Sequence, residues 1–83
     1  MIDIRNYIFE YISDRMGLSI DDIKENSKLN YDLEMDSLDI IEMIMNFESE
    51  LNIRVPDEKI IESETVGYFI NLFTELINSK TKN

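Results

Sequence analysis

Apolar residues recur at intervals of three and four positions along three stretches of this chain, a spacing typical of amphipathic helices. The first stretch predicts a helix over residues 2–16, and Gly17 follows it where a left-handed C-terminal cap is expected. The second predicts a helix over residues 37–51, and the third predicts a helix capped by Ser63 or Thr65. The inward positions are Ile4, Ile8, Tyr11 and Ile12 in the first helix, Ile40, Ile44, Phe47 and Leu51 in the second, and Val66, Phe69, Ile70, Phe73, Leu76 and Ile77 in the last.

The segments between these stretches complete the predicted fold. Residues 18–35 form a long connection rich in apolar side chains, so we expect it to be ordered against the core. Pro56 disfavours helix at the residue before it and opens a short third helix that runs to about Glu62. No stretch alternates apolar and polar residues with the period of a strand. The pattern therefore predicts an all-α fold, a four-helix bundle with a short third helix and a long ordered loop between helices 1 and 2.

The length and composition of this chain predict one small domain with few side chains suited to catalysis or metal binding. Its 83 residues are 43% hydrophobic, enough for one modest core, and we predict a single domain over residues 1–83 with a frayed polar tail over residues 79–83. The chain has no cysteine and no histidine, so it lacks thiols, the usual general base and the usual metal ligand. We therefore expect no catalytic residue and no metal site, and any thiol must come from a cofactor.

The charge of the chain narrows the range of partners. It has 18 acidic against 8 basic residues, a formal net charge of -10. The electric field of so negative a protein repels nucleic acid and anionic membrane surfaces and attracts basic patches on other proteins. No apolar run approaches the roughly 20 residues of a membrane span, and the start of the chain lacks the pattern of a signal peptide. We expect a cytoplasmic monomer that binds proteins with basic patches, without nucleic-acid binding or stable membrane insertion.

The most informative segment is Asp36-Ser37-Leu38-Asp39, at the predicted start of the second helix. Asp36 is a good N-cap, and Asp39 stands where the acid of a capping box is expected. Taken alone, these four residues indicate only a well-capped helix. A serine in the first turn, however, presents its hydroxyl where a phosphate ester is favoured by the helix N-terminus. The surrounding acids suit a tethered phosphodiester better than a regulatory phosphoserine, which usually pairs with arginine.

This segment and its surroundings resemble the acyl carrier protein family. Residues 36–38 match the family's D-S-L motif, and residues 29–33 stand where the family has an apolar-x-x-D-L segment. Residues 55–57 match the I/V-P-D turn into the third helix, and residues 65–66 the opening of the last helix. The resemblance implies a discrete, bacterial-type carrier. In such a carrier, a phosphopantetheinyl transferase would attach 4′-phosphopantetheine, donated from coenzyme A, to Ser37.

The resemblance also implies a function and a set of partners. The thiol of the arm would hold acyl groups as thioesters. The protein, itself not an enzyme, would deliver them to fatty-acid or related biosynthetic enzymes, among them acyl-transferring and chain-elongating enzymes with basic patches. The residues that would bind these partners are Asp36, Leu38, Asp39, Glu42, Met45, Glu48, Asp57 and Glu58. The residues that would line a cavity for the acyl chain are Leu33, Ile40, Ile41, Ile44, Phe47, Val55, Ile60, Ile61, Val66 and Phe73.

Two departures from the family pattern keep alternatives open. Glu34 stands where the family usually has glycine, so either the loop differs or it bears strain, because glutamate adopts a glycine conformation only at a cost. Arg54 places a positive charge where carriers of this family are usually acidic or neutral. A specialised carrier for polyketide or aminoacyl cargo therefore stays open, as does an unmodified acidic adaptor that binds partners noncovalently. An EF-hand-like calcium module is disfavoured, because a loop starting at Asp32 has Ser37 where glycine is needed and Met43 where a bidentate glutamate is needed.

Overall fold

The computed structural model describes residues 3–81, and its regular secondary structure is helical. Its elements in chain order are α1 (Ile4–Met16), a 3-10 turn (Ile20–Asp22), α2 (Ser37–Leu51), a second 3-10 turn (Asp57–Lys59) and α3 (Val66–Thr81). Among these residues the only β-type pairing is an isolated antiparallel bridge between Lys28 and Thr65. None of the described helices is long and apolar enough to cross a membrane. The prediction of an all-α fold is confirmed.

The structure differs from the predicted four-helix bundle at its third helix. Where we predicted helix from Pro56 to about Glu62, the chain forms only the 3-10 turn Asp57–Lys59, which ends at Ile60 with φ -88° and ψ 89°. Pro56 provides no side-chain hydrogen bond to cap the turn, and the turn buries no side chain. A short helix depends on such burial, because its few hydrogen bonds do not repay the cost of nucleation. The described residues therefore contain three α-helices.

The ends of α1 and α3 are set by local interactions. The predicted start of the first helix at residue 2 lies outside the described residues, and Asp3 caps α1 by accepting a hydrogen bond from the Asn6 N–H at 3.1 Å. Gly17 ends α1 in the left-handed conformation, with φ 66°, as its position in the sequence predicts. Helix α3 extends to Thr81, so residues 79–81 of the tail predicted to fray are helical, while residues 82–83 lie outside the described part.

The connection between α1 and α2 is attached to the start of α3. The Val66 N–H donates to the Ser27 carbonyl at 2.9 Å, and the Gly67 N–H donates to the Glu25 carbonyl at 2.8 Å. A Cβ at Gly67 would lie 3.2 Å from that same Glu25 oxygen, so glycine permits this close approach. The buried apolar side chains of the connection are Ile23, Leu29, Leu33 and Met35. Together these contacts hold the connection in place and with it the first residue of α2.

The core is centred on Phe47 of α2. Its side chain is completely buried, and its ring centroid lies 4.7 Å from that of Tyr7 and 5.5 Å from that of Tyr11, both in α1. On the other side it lies 4.9 Å from the ring of Phe73 in α3, in an edge-to-face arrangement. The predicted inward stripe of α2 is buried as expected, at Ile40, Ile44, Phe47 and Leu51. Phe47 therefore links all three helices.

Candidate functional site

The start of α2 is built by a reciprocal pair of hydrogen bonds. Asp36 accepts a hydrogen bond from the Asp39 N–H at 2.9 Å, and Asp39 accepts one from the Asp36 N–H at 3.1 Å. The predicted capping box is therefore confirmed. The hydrogen bond from the Asp36 backbone, followed by that from Arg15, lowers the pKa of Asp39 below its usual value. The first helical residue, Ser37, is held firmly in place at this end of α2 and is exposed to solvent.

The Ser37 hydroxyl has a partner that sequence reasoning missed. Its Oγ donates to the Glu62 carboxylate, lying 2.9 Å from Oε2 and 3.0 Å from Oε1. Glu62 follows the second 3-10 turn and is 25 positions away in sequence. Nothing in the local pattern of either residue indicates the contact, because it arises only when the segment after α2 returns to the N-terminus of that helix. The arrangement presents an exposed hydroxyl, with no histidine in the chain to activate it.

The loop before Ser37 contains Glu34, the residue that stands where the family usually has glycine. Glu34 adopts a left-handed backbone conformation, with φ 58°, which is the conformation that glycine favours. For a residue with a side chain this conformation costs about 1 kcal/mol. Its neighbours Leu33 and Met35 are buried, at 5% and 2% exposure, and hold the turn against the core. Of the two outcomes that the sequence left open, the structure has the second: the loop keeps a glycine-like path at Glu34 and bears strain.

An apolar stripe runs along the outer surface of α2. Leu38 and Met45, which we predicted to bind partners, are 62% and 61% exposed. Ile41 lies between them and is 40% exposed, so the structure corrects its predicted place in an internal cavity. The physical reason is the helical spacing: Ile41 is three residues after Leu38 and four before Met45, which places it on their face rather than on the buried stripe. The exposed stripe is therefore Leu38, Ile41 and Met45.

Four of the acids predicted to face partners are engaged within the protein, the first being Asp36, which accepts the capping-box hydrogen bond. The Arg15 Nη2 of α1 lies 2.9 Å from the Asp39 Oδ1, and its Nη1 lies 2.5 Å from the Glu42 Oε1. The half-buried Glu48 accepts a hydrogen bond from the Val55 N–H at 2.8 Å. The exposed acids of the second 3-10 turn are Asp57 and Glu58. The acidic surface predicted to face partners is thus partly neutralised at Asp39 and Glu42.

Most of the residues predicted to line an acyl cavity lie in the core. Those that are buried are Leu33, Ile40, Ile44, Phe47, Val55, Val66 and Phe73, and Ile60 is half-buried. Ile61 is 41% exposed, so the structure corrects its predicted place in the cavity as well. Because the third element is a single 3-10 turn that ends before Ile61, no helical face carries this side chain inward.

Comparison with known proteins points to the same family as the sequence motifs. A family described as "Phosphopantetheine attachment site" matches residues 6–73. The acyl carrier protein of Chlorobium luteolum is 40% identical over 65 residues, covering 78% of this chain and 80% of that protein. That of Chlorobium phaeovibrioides is 38% identical with the same coverage, and that of Chloroherpeton thalassium is 36% identical over 73 residues, covering 88% of this chain and 91% of that protein.

The match implies a 4′-phosphopantetheine prosthetic group. The residues at the start of α2 fit such a group, because Ser37 presents an exposed hydroxyl at a helix N-terminus, where an anionic ester is stabilised. The group also supplies what the chain lacks, because the sequence contains no cysteine and the group carries a thiol. With the family model covering most of its length and relatives of 36–40% identity, this chain belongs to the acyl carrier protein family.

Proposed function

We propose that Ser37 is the attachment residue for 4′-phosphopantetheine. In this proposal the protein carries acyl groups to fatty-acid or related biosynthetic enzymes without catalysing a reaction. When bound, the group supplies a terminal thiol that holds acyl groups as thioesters. The observation that carries the proposal is the exposed hydroxyl of Ser37, which lies at the first residue of α2 and within the matched residues 6–73. The remaining residues of the site position this hydroxyl and shape the surfaces around it.

The attachment residue is held by its flanking structure. Asp36 and Asp39 close the capping box on either side of Ser37, and the buried Leu33 and Met35 hold the preceding loop on the core. A hydroxyl fixed in this way lies at a defined place on the surface, so a transferase can recognise it by binding the adjoining helix. We propose that this ordering, rather than any chemical activation of the serine, prepares Ser37 for modification.

The interior beside α2 is the proposed place for the acyl chain. The residues proposed to surround it are Leu33, Ile40, Ile44, Phe47, Val55, Ile60, Val66 and Phe73. Removing an acyl chain from water is favourable by about 0.8 kcal/mol for each methylene group, and an apolar lining makes that gain available. Because protein cores are closely packed, the chain is accommodated by a small separation of α2 from its neighbours.

The proposed partners bind the outer surface of α2 and the second 3-10 turn. The exposed stripe Leu38, Ile41 and Met45 offers apolar contact area, and the exposed Asp57 and Glu58 offer carboxylates to basic side chains. A phosphopantetheinyl transferase and acyl-transferring and chain-elongating enzymes with basic patches fit this surface. We propose that the protein meets them as a monomer in the cytoplasm.

The proposed function is tested by the intact mass of the protein after incubation with coenzyme A, Mg²⁺ and a promiscuous phosphopantetheinyl transferase. We expect a gain of one phosphopantetheinyl group. Peptide mapping is expected to place it on the peptide that contains Ser37. No gain from folded protein, repeated with transferases of different specificity, would contradict the carrier function and favour a noncovalent acidic adaptor.

The ion pairs of Arg15 lead to a prediction about the efficiency of loading by the transferase. Arg15→Gln is expected to raise kcat/KM for loading by about two- to fivefold, because Arg15 then no longer competes with basic side chains of the transferase for Asp39 and Glu42. The matched control is Arg5→Gln, which removes the same charge from an exposed pair with Glu25 elsewhere on the surface. Equal effects of the two substitutions would show that only net charge matters and that Arg15 does not restrict these acids.

A further inference from the structure

We propose that Glu62 distinguishes the unmodified carrier from the loaded one. Its carboxylate holds the free hydroxyl of Ser37 and is released when that oxygen becomes part of a phosphate ester. The inference rests on the proposed attachment at Ser37 and goes beyond it, because it assigns a role to a residue outside the D-S-L motif. It also identifies which segment of the chain responds to loading.

The contact is specific to the free hydroxyl. A serine hydroxyl has one hydrogen to donate. In this structure Ser37 directs that hydrogen at the Glu62 carboxylate, whose two oxygens lie 2.9 and 3.0 Å from Oγ. Within residues 3–81, these are the only hydrogen bonds found for the Glu62 side chain. The position of the Glu62 side chain in the unmodified protein therefore depends on that one hydrogen.

Loading removes this donor. An Oγ–P bond forms at Ser37, the phosphoanhydride P–O bond of coenzyme A breaks, adenosine 3′,5′-bisphosphate leaves, and the hydroxyl proton passes to the transferase or to water. Ser37 then has no hydrogen to offer Glu62. In addition, Glu62 now faces an anionic ester at the position of its former partner, and two like charges at such a distance repel each other. Glu62 thus loses its hydrogen bond and gains a repulsive neighbour in the same step.

The segment that carries Glu62 lies between two anchored ends and has few hydrogen bonds of its own. The Ile60 N–H donates to the Asp57 carbonyl at 3.0 Å, and the Glu64 N–H donates to the Ile61 carbonyl at 3.1 Å. At one end the Lys59 carbonyl accepts a hydrogen bond from the Tyr68 hydroxyl at 2.8 Å. At the other end the Glu64 carbonyl accepts one from the Leu29 N–H at 3.2 Å. Between these anchors Glu62 itself is exposed. We therefore expect loading to loosen residues 60–63 and to leave the two anchors in place.

The consequence is a surface that differs between the two forms. Before loading, the Glu62 carboxylate accepts a hydrogen bond from the Ser37 hydroxyl and is therefore not available to a partner. After loading, its carboxylate is free beside the arm and available to a basic side chain. A partner that places a lysine or arginine at this point binds the loaded carrier in preference to the unmodified one. Glu62 is in this sense a specificity-determining residue for enzymes that act after loading.

Amide hydrogen exchange of the full chain, before and after loading, tests the inference. In the wild-type protein we expect loading to speed exchange several-fold at the amides of Ile60 and Glu64, whose N–H groups are hydrogen-bonded within this segment before loading. The key variant is Glu62→Gln, whose amide accepts from the Ser37 hydroxyl before loading and donates to the phosphate afterwards. We expect little change on loading in this variant. Glu75→Gln, which removes the same charge from an exposed position on α3 outside the proposed partner surface, is expected to behave like the wild type.

Two results would overturn the inference. One is a wild-type protein whose exchange at the Ile60 and Glu64 amides is unaffected by loading. The other is a Glu62→Gln variant that responds as strongly as the wild type. Failure of the proposed function has a different signature, because the intact mass would then show no phosphopantetheinyl group in any of the three proteins.

Discussion

Replacing Ser37 with alanine is expected to abolish the mass gain on loading completely while the fold is retained. The transfer needs the Ser37 oxygen, and no neighbouring side chain replaces it at that position. The fold is expected to survive because Ser37 is exposed, the helix is capped by Asp36 rather than by Ser37, and alanine is a good helix former. The lost hydrogen bond to Glu62 is exposed, so we expect a change in the free energy of unfolding of less than about 1 kcal/mol.

The matched control for this substitution is Ser49→Ala. Ser49 is an exposed serine on the same helix, so its loss changes the hydroxyl content of α2 without touching the proposed site. We expect this variant to gain one phosphopantetheinyl group at the wild-type rate. Loading of the Ser37→Ala protein, measured by intact mass, would show that another residue carries the group and would overturn the assignment of Ser37.

Replacing Phe47 with alanine is expected to lower the free energy of unfolding by about 3–5 kcal/mol. The Phe47 ring is completely buried and contacts rings from both α1 and α3, at Tyr7, Tyr11 and Phe73. Its removal leaves a cavity where the three helices meet. Because small domains are stable by only about 5–15 kcal/mol, the loss is a large share of the total. Urea denaturation followed by circular dichroism measures it directly.

Met45→Ala is the control for the substitution of Phe47. Met45 lies on the same helix, two positions earlier, and is 61% exposed, so its truncation leaves no cavity. We expect it to change the free energy of unfolding by at most about 0.5 kcal/mol. A cost below about 1 kcal/mol for Phe47→Ala would contradict the central place of this ring in the core. It would also remove the support for placing the acyl chain beside it.

The parts of the fold that were predicted correctly depend on residues close together in sequence. Helix α2 begins at Ser37 because Asp36 and Asp39 form a capping box, and α1 ends at Gly17 because glycine adopts the left-handed conformation. The buried stripe of α2 follows from helical periodicity. At Glu34 the missing glycine marked the position but left open whether the loop differs or bears strain, and the left-handed backbone shows strain. Each of these features involves interactions within about one turn of helix, which the order of residues specifies directly.

The third element shows where local reasoning reaches its limit. Pro56 and the acids after it are compatible with a helix, yet the chain makes a single 3-10 turn. Whether such a segment extends depends on the apolar surface it buries, and the turn buries no side chain. The same fact explains why Ile61 lies at the surface. Ile41 is exposed for a different reason, since helical spacing places it on the face of Leu38 and Met45.

By itself, the sequence determined the helical class, the capped start of α2, the exposed serine at that start and the resemblance to acyl carrier proteins. Only the tertiary structure decided that Arg15 neutralises Asp39 and Glu42 and that Glu62 holds the Ser37 hydroxyl. Arg15 and Asp39 are 24 positions apart in sequence, and Ser37 and Glu62 are 25 positions apart. Such pairs meet only after the helices have packed, and no local pattern of charge or hydrophobicity specifies which side chains then face each other.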